Sequence, residues 1–81
     1  MALTTDQTAQ VLRDLVAIVN DSSFNNISHA DMKAAVAAVD TWATANAAAY
    51  NTALPDPFKS TANAAQKALI LAYVCLRRAG L

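Results

Sequence analysis

Eighty-one residues make one domain, close to the lower size limit for a self-sufficient core. Six lysines and arginines cancel six aspartates, and there is no glutamate, so the chain has no electrostatic footprint for nucleic acid or an anionic membrane. One cysteine excludes an internal disulfide, one histidine beside it excludes the usual protein-only metal site, and one glycine excludes a glycine-rich phosphate loop.

The opening "MALTTDQTAQ" has no basic segment, and Asp6 and Gln7 interrupt any early apolar run. A chain without a secretory leader, working inside the cell, is expected. Thr4 stands three residues before Gln7, the spacing of a helix N-cap whose side chain and backbone exchange hydrogen bonds with the third helical residue. The first helix is predicted over about 5–20. Leu12, Leu15, Val16 and Val19 form its apolar face, widened by Val11 and Ile18, with Gln10, Arg13 and Asp14 opposite. It ends in "NDSSFNN", a cluster of turn formers from which Phe24 and Ile27 are expected to fold back as plugs.

"SHAD" repeats the capping signal, with Ser28 three before Asp31, and the second helix is predicted over about 29–53. Met32, Val36, Val39, Ala43, Asn46, Tyr50 and Ala53 alternate steps of four and three, a coiled-coil-like seam poor in bulk because of its alanines. Trp42 flanks the seam and is expected to be substantially buried against the third helix. Asn46 falls on the seam, as a partly solvated or register-setting polar residue or as a buried polar contact to a partner. Ser28, His29 and Asp31 do not make a nucleophile–base–orienter relay, because three residues on one helical turn cannot align end to end.

"LPDPFKSTA" places Pro55 and Pro57 after the second helix, ending it and holding the link extended, with Phe58 as an anchor. Asn63, three before Gln66, is the third cap, and the third helix is predicted over about 63–79. Its unbroken apolar run, Ala68 to Leu76, spans roughly 14 Å at 1.5 Å per residue, against about 30 Å of membrane hydrocarbon. Ala65, Ala68, Leu69, Ala72, Cys75, Leu76 and Ala79 share one face. Gln66, Lys67 and Arg77 lie opposite, but so do Ile70 and Val74, and Leu71 sits at the edge beside Arg78.

A helix apolar all round is covered all round. Two small neighbours cover one side. Either Leu54 and Phe58 of the link or another protein covers the other, and a protein interface over Ile70, Leu71, Val74, Arg77 and Arg78 is the preferred expectation. Cys75 reads as a buried packing residue. Arg77 and Arg78 suit the negative end of the helix dipole, with Gly80 as the C-terminal cap. A helix-turn-helix reader is disfavoured, since the third helix is apolar where base-reading side chains belong. The fold class expected is all-α: a small three-helix bundle, one domain over 1–81, with a Pro-containing link between the second and third helices.

"AVDTWATANAAAYNTALPDPF" followed by "AAQKALILAYVCLRR" resembles short all-helical proteins encoded in the head and tail structural gene clusters of tailed bacteriophages. The shared features are Val39-Asp40 with Trp42, then Asn46, Tyr50-Asn51 leading into Leu54-Pro55, Pro57, Gln66-Lys67 and Arg77-Arg78. The likeness covers about residues 34 to 78 and carries packing and capping residues, with no catalytic signature. It implies a virion structural or assembly protein, made in the host cytoplasm, associated with the capsid or head-to-tail region in multiple copies. Its expected partners are other virion proteins and copies of itself. No small-molecule substrate, cofactor, metal, catalytic residue, nucleic acid or membrane is expected. The rival readings are a non-virion adaptor docking a single protein partner and a small nucleic-acid binder that would need a basic face. An enzyme comes last.

Overall fold

The structure, a computed structural model, describes residues 1–22, 25–52 and 64–81. It is all-helical among these residues, with α1 at Thr5–Asn20, α2 at His29–Ala45, a single turn α3 at Ala47–Tyr50, and α4 at Ala64–Arg78. The three long helices each pack on the other two, α2 most extensively on α4.

α1 starts where the sequence predicts. Gln7 N–H donates to Thr4 Oγ1 at 3.1 Å and Thr4 N–H donates to Gln7 Oε1 at 3.0 Å, a closed capping box. Its inward face is the expected one, with Val11, Leu15 and Val19 at its centre and Leu12, Val16 and Ile18 packed on the core at its edges. Val11, Leu15 and Val19, spaced four apart, are buried, whereas Leu12 and Val16 are only half-buried. Packing against both α2 and α4 centres the face on this ridge. The segment before α1 is tied to α2, with the Met1 amino group donating to Thr44 Oγ1 and Leu3 N–H donating to Asp40 Oδ2 at 3.3 Å.

Ile27 is buried, as a plug between α1 and α2 should be; Phe24 lies outside the described residues. Ser28 caps α2, its Oγ accepting Asp31 N–H at 3.1 Å. Met32, Val36, Val39 and Ala43 of the predicted seam are all buried, joined by Ala35.

The second helix does not run unbroken to residue 53. It stops at Ala45, Asn46 leaves helical geometry at φ −134° and ψ 49°, and α3 restarts with Tyr50 N–H bonded to Asn46 O at 2.9 Å. The cause is local. Asn46 Nδ2 donates to the Trp42 carbonyl at 2.9 Å, offering that oxygen a side-chain partner in place of the helical backbone. Asn46 is consequently exposed and not on the seam, but Tyr50 beyond the break is buried again. Asn51 and Thr52 complete a turn on Ala48 and Ala49, and Ala53, the Pro-containing link and the Asn63 cap lie outside the described residues.

α4 buries Ala68, Ala72, Tyr73, Cys75 and Leu76. Its C-terminus closes in a Schellman arrangement: Gly80, at φ +79°, donates to Arg77 O at 3.1 Å, and Leu81 N–H donates to Leu76 O at 3.1 Å. Glycine fits there because an L side chain resists positive φ. The cap assigned to Gly80 from sequence is therefore the one formed.

Candidate protein interface

Val74 defines the site. It is 38% exposed, the one large hydrophobic side chain so open to water among the described residues. Ile70, one turn earlier, and Leu71 are half-buried and lean on the core that α1, α2 and α4 share. The ridge predicted at Ile70 and Val74 thus divides: its first residue is partly used inside the chain and its second faces outward. Leu54 and Phe58, the candidates for covering it from within, lie outside the described residues.

The two arginines at the end of α4 also divide. Arg77 is held by its own chain: its guanidinium carbon lies 5.1 Å from the centroid of the Tyr50 ring, and Nη1 donates to Asn51 Oδ1 at 3.1 Å. The exposed guanidinium of Arg78 makes no hydrogen bond or ion pair among the described residues. The helix dipole favours both cations at this end.

Tyr50 is the hub behind the interface. Its ring meets Tyr73 edge-on, centroids 5.6 Å apart at 76°, and Trp42 at 6.5 Å. Tyr73 Oη donates to the Tyr50 carbonyl at 3.0 Å, and Tyr50 Oη donates to the Leu81 backbone oxygen. Burial pushes the Tyr50 phenol up from its ordinary pKa, an effect that the Arg77 charge partly offsets. Trp42 is largely covered and packs against the core, as its size leads one to expect, and a described ring beside it is Tyr50. The burial of Tyr73 is not among the expectations drawn from the sequence. Its position four after Leu69 and three before Leu76 was the available signal.

Beside the α4 ridge, a groove of about 320 Å³ runs between α1 and α4, lined by Asp14, Ala17, Ile18, Cys75 and Arg78. Cys75 is buried, as expected of a packing cysteine. Burial first, and the Asp14 charge second, push its thiol pKa up, while Arg78 pulls the other way. A raised pKa keeps the thiol protonated and poorly nucleophilic. A wider groove of about 600 Å³ crosses the outside of α1, where half-buried Leu12 and Val16 stand near Arg13 and His29. His29 is exposed in the first turn of α2, and Ser28 is occupied as the cap.

Among the described residues, no helix is long and apolar enough to cross a membrane, and no three His, Cys, Asp or Glu side chains are grouped to hold a metal ion. In comparisons with protein families, curated proteins and solved structures, no match to this chain was found.

Proposed function

We propose that the chain is a small, non-enzymatic structural or assembly protein of a tailed-phage particle, associated with the capsid or head-to-tail region in multiple copies. In this reading it is a three-helix bundle, with a Pro-containing link joining the α2–α3 arm to α4, and the outer face of α4 docks its neighbours in the particle, other virion proteins or copies of itself. The observation that carries the proposal is Val74, open to water between half-buried Ile70 and Leu71 in the middle of a helix. The resemblance over residues 34 to 78 supplies the particle. Covering the exposed part of this trio contributes about 1–2 kcal/mol at ~25 cal/mol per Å², before the cost of association.

Mass spectrometry of purified particles tests the placement, and absence of the chain from them overturns it. Val74→Asp tests the face. Because Val74 is exposed, the variant keeps its helical circular dichroism, and its incorporation into particles falls. Unchanged incorporation removes the α4 face from the proposal. Recovery of one stoichiometric non-structural partner in place of virion proteins supports the adaptor reading.

A further inference from the structure

The occupant of the face can be specified from its charges, on the footing that the outer side of α4 is a docking surface. The groove beside it has an acid on its α1 rim, Asp14, and a base on its α4 rim, Arg78, with buried Cys75 at its floor. Both rim residues are exposed. Asp14 accepts from Gln10 Nε2 of its own helix at 3.1 Å, and no ion pair joins it to Arg78. Opposite charges thus stand on opposite rims without neutralising each other, and Val74 lies one turn before Arg78 on the same helix.

We infer that this face pairs with a second copy of the chain about a two-fold axis over the groove, each Arg78 reaching the partner's Asp14. A half-turn exchanges the rims, so one acid–base match becomes two, the signature of an isologous contact. The area sets the strength. α4, with 15 residues, is about 22 Å long, and two helices abreast are roughly 20 Å wide. Such a face offers on the order of 450 Å² per copy, below the ~800 Å² of a standard interface. The dimer is therefore weak, micromolar or weaker, and loosens with salt because its charges sit at the rim.

Two single variants of the full chain test the pairing. Asp14→Arg leaves two bases on the rims, and Arg78→Asp leaves two acids. Sedimentation velocity from micromolar to millimolar protein at low salt should show dimer for the wild type. Each variant alone should associate more weakly by roughly tenfold or more, since every cross-axis contact now joins like charges. An equimolar mixture of the two should regain dimer, because both contacts in the mixed pair join opposite charges. Circular dichroism confirms that each variant is folded. A wild type that stays monomeric at millimolar concentration, or a mixture no tighter than either variant alone, overturns the inference. Neither result touches the particle assignment, which particle mass spectrometry decides; absence from particles leaves the pairing intact.

Discussion

Tyr73→Phe removes a buried hydrogen bond at the hub. Tyr73 is 8% exposed, and its hydroxyl donates to the Tyr50 carbonyl at 3.0 Å, joining α4 to the end of α3. Phenylalanine keeps the ring, its burial and the edge-on contact with Tyr50 at 5.6 Å. What is lost is the O–H···O bond, about 1 kcal/mol net, plus part of the desolvation cost of a carbonyl left without its donor. A loss of about 1–2 kcal/mol is expected. A chain of this size has roughly 4–12 kcal/mol in total, so the change is a visible fraction. The midpoint of thermal unfolding should fall by about 5–15 °C. Urea unfolding followed at the helical circular dichroism band should show a lower midpoint with an unchanged slope. Tyr73→Leu, which also removes the ring contact, should fall further. A Tyr73→Phe change below about 0.3 kcal/mol would refute the argument, because the hydroxyl would then be bonding water equally well in the unfolded chain.

Gly80→Ala should cost about 1 kcal/mol in thermal unfolding; a Cβ there meets nothing within 4 Å, so the loss is conformational, and a neutral result would mean the Schellman turn is not formed. Asn46→Ala removes the side-chain competitor for the Trp42 carbonyl, and Cα chemical shifts should become helical across 45–47 while stability changes by no more than about 0.5 kcal/mol. A persistent break would show that tertiary contacts, not Asn46, impose it. The raised pKa of Cys75 means that the folded chain holds this proton longer than the unfolded one. Its contribution to stability is full below the unfolded thiol value of about 8.5 and is lost as pH rises from there through the folded value. Tyr50, raised in the same direction, adds a second decline above about 10, and Cys75→Ala should abolish the first decline in urea midpoints measured across alkaline pH.

The parts of the fold legible in the sequence are those decided within a few residues. Thr4 with Gln7, Ser28 before Asp31, and Gly80 after α4 are each a short-range hydrogen-bonding pattern, and each forms as read. The seam of Met32, Val36, Val39 and Ala43 is legible because a helix repeats its faces. The break at Asn46 was not, since every neighbour from Ala43 to Tyr50 reads as helix and one amide chooses the Trp42 carbonyl. The bonds from Tyr73 to Tyr50 and from Tyr50 to Leu81 depend on neighbours distant in sequence. At the candidate interface, periodicity singled out Ile70 and Val74 together. It could not separate them, because which one leans on the core depends on where α1 and α2 lie. Arg77 and Arg78 looked alike for the same reason, until Tyr50 and Asn51 claimed the first.

The four-residue α3 is far too short to hold its own shape, yet it carries Tyr50, whose ring meets both Trp42 and Tyr73. Its persistence is therefore borrowed from the far end of the sequence. Tyr73 grips its carbonyl, Arg77 covers its ring, and Leu81 receives its hydroxyl. Amide protons of α3 and of the last turn of α4 should accordingly exchange with solvent in one shared opening event, with the same free energy and the same response to denaturant. The isolated turn would exchange at the rate of an unstructured peptide. Two segments some thirty residues apart thus open and close as a single unit, and an event that frees the end of α4 releases the end of the α2–α3 arm with it.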